Sequence, residues 1–163
     1  MNKKCIIAMS GGVDSSVAAF LMKEKGYECI GATMKLYDNE EIGISREKTC
    51  CSLDDIEDAR AVARRLSMPY YVFNFKDKLE EKVINKFIKT YENGGTPNPC
   101  IDCNRFIKFD QLQKRAELME CSHIATGHYA KVELDKGSGR YLLKRARDTH
   151  KDQTYVLWAL TRE

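Results

Sequence analysis

Ser10-Gly11-Gly12-Val13-Asp14-Ser15-Ser16 packs three hydroxyls, two glycines and one carboxylate into a single short stretch. It follows the apolar run Cys5-Ile6-Ile7-Ala8-Met9 and precedes Val17-Ala18-Ala19-Phe20-Leu21-Met22, so it reads as a turn from a buried strand into a helix. Glycines let the backbone turn tightly and leave no side chain between it and a ligand. A helix start offers unpaired N–H groups and the positive end of a dipole, a natural anion site. The chemistry expected is the binding of a polyphosphate or pyrophosphate, with Asp14 where a metal contact or a helix cap would sit. A glycine-rich cap alone accounts for Gly11-Gly12, but not for serines on both sides. No Gly-Lys-Ser/Thr follows, and the pattern is not Gly-x-Gly-x-x-Gly.

Sulfur is the second chemical theme. Of seven cysteines, Cys5, Cys29 and Cys121 lie in or beside apolar runs and read as small core residues. Cys50, Cys51, Cys100 and Cys103 lie in polar, loop-like segments. Cys100-Ile101-Asp102-Cys103 is a Cys-x-x-Cys delivered by Thr96-Pro97-Asn98-Pro99, whose prolines predict a stiff, extended loop. Such a pair serves redox, metal-binding or nucleophilic chemistry. Cys103 is expected just before a helix over about Asn104 to Glu120, where the helix start favours a thiolate. A zinc or iron–sulfur centre would draw on Cys50, Cys51, Cys100 and Cys103, although adjacent cysteines rarely both bind one metal.

The elements that position these groups follow from periodicity. Gly26 stops the first helix, and Tyr27–Met34 is a second strand, so strand, helix and strand form a βαβ unit with parallel pairing. Residues 37–51 form a long charged connection. Ser52-Leu53-Asp54-Asp55 has capping-box spacing, and the helix behind it puts Leu53, Ile56, Ala59, Ala63 and Leu66 on a core stripe. Tyr70–Phe75 is a third strand, followed from about Asp77 by a helix with Leu79, Val83, Phe87 and Tyr91 on one face. Ser122–Thr126 is a fourth strand and ends in Gly127-His128-Tyr129, on the edge where parallel sheets bind ligands. Tyr129–Leu134 and Tyr141–Lys144 read as a β-hairpin, and Thr154–Glu163 as an amphipathic helix. A helix that stops without a cap predicts a chain cut from a longer one. Net charge is only +3, but bases gather in Arg140–Lys151, a solvated face or a phosphate-contacting surface. No apolar run is long enough to span a membrane, so the chain is read as cytoplasmic.

Ser-Gly-Gly-x-Asp-Ser-Ser resembles the loop of enzymes that cleave ATP to AMP and pyrophosphate while adenylating a substrate. The whole set of motifs resembles the tRNA-specific 2-thiouridylases of the MnmA type, which older naming called tRNA methyltransferases. The matching stretches are Met9–Ser16, Cys51–Asp55, Thr96–Pro99, Cys103–Phe109, Ala125–Tyr129 and Lys151–Tyr155. The resemblance implies an α/β fold: a Rossmann-like doubly wound parallel sheet of the adenine nucleotide alpha hydrolase (PP-loop) type, with a C-terminal β-hairpin extension. Residues 1–128 would form the ATP-binding catalytic domain. Residues 129–163 would supply the hairpin, a basic tRNA-contacting loop and a helix leading to central and β-barrel domains.

In such enzymes ATP adenylates the 2-oxygen of the wobble uridine and a persulfide sulfur then displaces AMP. The resemblance places ATP on Ala8, Met9, Ser10, Gly11, Gly12, Val13, Asp14, Ser15 and Ser16, with Met34 and Gly127 near the adenosine. It makes Cys103 the sulfur-carrying nucleophile and counts Asp14, beside Mg2+, among the catalytic groups. It sets Asn98, Pro99 and Cys100 against the target base, and His128, Lys151, Asp152 and Gln153 against tRNA. Expected partners are tRNA and a persulfide sulfur-donor protein, with no membrane, for a monomeric chain. Many members of the family have Asp where this chain has Cys100, which puts an acidic role at that position in doubt. Family members are also about twice as long, so the chain is expected to bind ATP without completing thiolation alone. Two other readings are another adenylating enzyme with the same loop, and a non-enzymatic metal or redox module built on the cysteines.

Overall fold

In a computed structural model of the protein, residues 3–37 and 53–160 are described. The long connection over 37–51, the cap at Ser52 and both Cys50 and Cys51 therefore fall wholly or almost wholly outside the described residues. β1 (Lys4–Ala8) is the centre of the sheet because its apolar run has no polar face: Cys5, Ile6 and Ile7 are fully buried. It pairs in parallel with β2 (Glu28–Lys35), from Lys4 opposite Glu28 to Ala8 opposite Ala32. On its other side it pairs in parallel with β4 (His123–Ala125), and β3 (Tyr70–Asn74) extends the sheet beyond β2. The order is β3-β2-β1-β4. The chain thus winds outward from β1 through β2 to β3, then returns to the opposite side of β1, and the direction reverses between β1 and β4.

Alternation along β1 sends side chains into two cores. Cys5, Ile7 and Met9 pack with Ala19 of α1 (Val13–Glu24) and with Ala59 and Ala63 of α2 (Leu53–Arg65). Ile6 and Ala8 pack on the other face with Phe75, Val83, Ile107 and Leu112. Val83 belongs to α3, a helix over 76–92 built from Lys76–Leu79, a π-helical segment Glu80–Ile84 and Asn85–Glu92. Ile107 and Leu112 belong to α4, over 99–118, built from Pro99–Asp102, a π-helical segment Cys103–Gln111 and Leu112–Leu118. Helices on both faces of a parallel sheet give the doubly wound architecture. Cys5 and Cys29 are core residues, as their apolar surroundings require.

Five local expectations need correction. α1 begins at Val13 rather than Val17, so Val13–Ser16 form its first turn and only Ser10–Gly12 remain as loop. α4 begins at Pro99 rather than Asn104. Proline fits the first helical position, where its missing N–H would be unpaired anyway, and the Asn98 side chain accepts the Cys100 N–H at 3.1 Å. Cys103 therefore lies inside a helix, not ahead of one. Leu53 is exposed rather than part of the α2 stripe, which rests on Ile56, Ala59 and Ala63. The hairpin strands are β5 (Lys131–Asp135) and β6 (Arg140–Lys144), and Tyr129 stands outside them because Gln153 takes both its backbone groups. Among the described residues α5 covers only Thr154–Leu157, the next turn closes by the Leu160 N–H donating to the Leu157 carbonyl at 3.1 Å, and positions 161–163 of the expected helix lie outside the described residues. Trp158 and Leu160 are exposed, so little packing holds a longer helix there.

The π-helical stretch of α4 explains a spacing that a regular helix does not. Its buried residues are Asn104, Ile107, Leu112 and Ala116, with a five-residue step from Ile107 to Leu112. A π turn is wide enough to return that step to the same face. Ile107 is fully buried against the central strand. Ile107→Ala is expected to cost about 2–5 kcal/mol, read as a lower urea midpoint with an unchanged denaturant slope.

Candidate functional site

The loop between β1 and α1 sits at the reversal of strand order, where open α/β sheets bind ligands. Gly11 has φ +78°, and a Cβ there would lie 2.5 Å from the Asp55 carbonyl oxygen. The position therefore excludes side chains on two grounds, backbone conformation and contact with α2. Buried Ser15 organises the loop: its hydroxyl accepts the Ser10 N–H at 3.2 Å and donates to the Gly12 carbonyl at 3.0 Å. The Ser16 hydroxyl donates to the same carbonyl at 2.9 Å. Gly12 caps α1 without a side chain, so no side-chain cap takes the first-turn N–H groups.

The turn after β4 closes on this loop. A Cβ on Gly127 would lie 2.8 Å from the Ser15 nitrogen and 2.9 Å from the Asp14 carbonyl carbon. The Tyr129 hydroxyl donates to Asp14 Oδ1 at 2.5 Å, and that carboxylate raises the phenol pKa. Beside them an open groove of about 770 Å³ includes Asp14, Val17, Gly127, Tyr129 and Arg147 in its lining. Ser10, Gly11 and Gly12 are not among its walls. Ala8, Met9 and Met34 are buried in the sheet, with Met34 next to the C-terminal end of β2.

The second half of the site is the start of α4. Asn98 caps it, Pro99 opens it, Cys100 is exposed, and Cys103 is half-buried against the core around Ile6 and Ile107. Asp102 is tied to Lys86 of α3 at 2.8 Å, which fixes this end of α4 against its neighbour. Buried Asn104 joins the two halves. Its Nδ2 donates to the Cys100 carbonyl at 2.8 Å, and its Oδ1 meets His128 Nε2 at 2.7 Å. With Nδ2 serving as donor, Oδ1 must accept, so Nε2 carries the imidazole proton. His128 Nδ1 then accepts the Thr126 hydroxyl at 2.7 Å. Burial first, and Lys108 second, lower the His128 pKa to about 4, consistent with a neutral ring.

The segment after the hairpin is held by its own side chains. Gln153 Oε1 accepts the Tyr129 N–H at 3.0 Å, and the Gln153 N–H returns a bond to the Tyr129 carbonyl at 3.0 Å. Asp152 accepts the Ala146 N–H at 2.7 Å and the Thr154 hydroxyl at 2.7 Å, contacts that keep its pKa below the usual carboxylate value. Lys151 is exposed, with its ammonium 5.1 Å from the centre of the Tyr129 ring. Sequence reasoning missed Tyr129 and Asn104 as site residues. Tyr129 was legible only as the neighbour of Gly127-His128. The signal for Asn104 is a polar residue on the inward face of α4, visible only once the helix start and its π turn are known. Among the described residues no group of three or more His, Cys, Asp or Glu side chains is arranged to hold a metal ion. No helix among them is long and apolar enough to cross a membrane.

The sheet order, the glycine-serine loop and the Gly127 closure define a doubly wound α/β domain of the PP-loop fold. The chain belongs to the tRNA methyl transferase HUP domain family, whose model matches residues 3–163. It is 55% identical over 163 residues to the tRNA-specific 2-thiouridylase MnmA of Clostridioides difficile, covering 100% of this chain and 45% of that protein. It is 53% identical over 163 residues to the MnmA of Clostridium acetobutylicum, again covering 45% of that protein. The chain thus spans a little under half the length of these curated relatives. The fold is also similar to the U34-tRNA thiolase NcsA of Methanococcus maripaludis, at TM-score 0.53 and 24% identity over 78% of this chain and 39% of that one. A glutamine-dependent NAD+ synthetase of Acinetobacter baumannii gives TM-score 0.53 at 17% identity, over 77% and 22%.

His128 gives a pH test with a definite sign. Its folded pKa, about 4, lies below the ordinary 6.5, so between these values the unfolded chain binds more protons. Its contribution to stability is complete above 6.5 and is lost as pH falls through about 4. The His128 imidazole is expected to stay neutral at about pH 5 in a ¹⁵N NMR titration, whereas an unperturbed histidine would be protonated there.

Proposed function

We propose that this chain is the ATP-binding portion of an enzyme that replaces the 2-oxygen of a tRNA uridine with sulfur. The observation that carries the proposal is the Ser10–Ser16 loop at the strand-order reversal, closed by Gly127 and Tyr129. Family membership and the names of the 2-thiouridylase relatives support it. The residues present fit ATP: Gly11 and Gly12 leave the backbone bare, and the first turn of α1 points N–H groups at an anion. Ala8–Ser16 would hold the nucleotide, with Met34 and Gly127 on the adenosine side. Asp14 is the carboxylate placed to meet Mg2+, which would offset phosphate charge, and Tyr129 orients it.

The chemistry answers a simple difficulty: the 2-oxygen of a uridine is a poor leaving group. Attack of that oxygen on the α-phosphorus of ATP forms an O–P bond and releases pyrophosphate. The outer sulfur of a persulfide on Cys103 then attacks the uridine C2, and the former 2-oxygen leaves as part of AMP. A second thiol attacks the Cys103 sulfur of the resulting S–S bridge, which releases the 2-thiouridine and leaves Cys103 in a disulfide with that thiol. A persulfide-bearing protein would load Cys103, while Asn98, Pro99 and Cys100 would flank the target base. For the tRNA, Lys151 with exposed Arg140, Arg145 and Arg147 supplies cations that displace counterions from phosphates. His128, Asp152 and Gln153 would shape that surface by fixing their own chain rather than by reaching the RNA.

Calorimetric titration tests the nucleotide step directly. The chain is expected to bind ATP with Mg2+, and Asp14→Ala to weaken binding by about tenfold, the scale of a charge-assisted contact worth ~1.4 kcal/mol. Absence of ATP binding by the intact chain would overturn the proposal. For the tRNA surface, replacing Arg147 and Lys151 together with alanine is expected to flatten the dependence of tRNA affinity on salt by about two phosphate contacts. An unchanged salt slope would remove these residues from the interface.

A further inference from the structure

Asn104 does something that neither the loop nor the thiol requires for its own sake. It is a buried amide at 5% exposure, and both ends of its fork are used, one within α4 and the other across to the turn after β4. One end holds the Cys100 carbonyl at the start of α4, and the other holds His128, which follows Gly127 after β4. Gly127 in turn rests against the Asp14–Ser15 backbone. The path therefore runs from the loop through Gly127 and His128 to Asn104, whose backbone is bonded to Cys103. Phe109 packs against the His128 ring at 5.7 Å and limits its tilt. An aspartate at 104 would set a charge against the Cys100 carbonyl, and a leucine would take away the partner of the imidazole N–H, whereas the Cys100 carbonyl would keep the Cys103 backbone N–H.

We propose that Asn104 is a positioning residue which, through His128, holds the Cys103 sulfur in register with a nucleotide bound on the Ser10–Ser16 loop. The inference rests on the proposed function, because it needs both ATP on the loop and chemistry at Cys103. Register matters more than affinity here. A sulfur that must meet an adenylated base gains its rate from alignment, and a misplacement of about 1 Å can cost on the order of a hundredfold.

An affinity label separates placement from binding. An adenosine carrying a sulfonyl fluoride at its 5′ position reacts with a thiol to form a thiosulfonate and release fluoride. Its half-saturation concentration reports nucleotide binding, and its limiting rate at Cys103, mapped by mass spectrometry, reports where the sulfur sits. In the wild-type chain, labelling of Cys103 is expected to saturate and to be blocked by ATP. Asn104→Ala is expected to lower the limiting rate by about tenfold or more while half-saturation stays within about twofold. Reaction of Cys103 with iodoacetamide, which has no nucleotide to align it, is expected to change by less than about twofold. His128→Gln breaks the same link from its other end and carries the test should Asn104→Ala fail to fold. The double variant is expected to lose no more than the worse single, because both remove one link.

Unchanged limiting rates in both variants would overturn the proposal. So would a loss of rate matched by an equal rise in half-saturation, or losses that add in the double variant. Labelling of Cys103 in the wild type that ATP does not block would also overturn it, as would ATP binding without labelling at Cys103. Absence of any ATP binding would instead bring down the proposed function beneath it.

Discussion

The contact on which the site depends is the approach of Gly127 to the first turn of α1. Backbone meets backbone there, and a single methyl group would stand 2.8 Å from the Ser15 nitrogen. Such closeness is available only to glycine, and it draws the end of β4 over the loop that follows β1. The same approach brings Tyr129 within hydrogen-bonding distance of Asp14 and directs His128 toward α4. Widening this contact would separate the Ser10–Ser16 loop from the thiol helix without breaking either one.

The two halves of the site are stabilised in different ways. The loop is held by short-range bonds within Ser10–Ser16 and by the absence of a side chain at Gly11, where the backbone meets Asp55. The thiol helix is held by packing, through Ile107 and Leu112 in the core, and by the Lys86–Asp102 ion pair at its end. That pair has a largely exposed lysine, so its share is a fraction of a kcal/mol up to about 1 kcal/mol and the packing dominates. Between the halves lies a polar link, and buried polar links contribute uniqueness of arrangement more than stability.

Much of this was legible in the sequence for physical reasons. β1 declared itself by an unbroken apolar run, and the loop after it by glycines and hydroxyls that no strand or helix interior would favour. The parallel sheet followed from strand–helix–strand spacing. The start of α4 was misread because two prolines look like a barrier to helix, whereas the second of them occupies the one helical position that tolerates proline. The face of α4 was hidden for a related reason: a five-residue step between buried positions is invisible to a search at 3.6-residue spacing. Asn104 and Tyr129 were missed because their partners, His128 and Asp14, lie 24 and 115 residues away, and no local pattern records such a meeting.

Those long separations bear on how the chain comes to be folded. β1 is made first and sits in the middle of the sheet, with one neighbour, β2, close in sequence and the other, β4, more than a hundred residues further on. The first βαβ unit closes a short chain loop, whereas β4 must close a long one against a larger entropic cost. During synthesis one apolar edge of β1 therefore stays bare until nearly the whole sheet has been made, an interval in which it is open to wrong partners. The Ser10–Ser16 loop belongs to the early unit and can form in that interval. The glycine that closes it, and the histidine that ties it to α4, arrive just after the last strand of the parallel sheet, so the completed site is also the signature of a completed sheet.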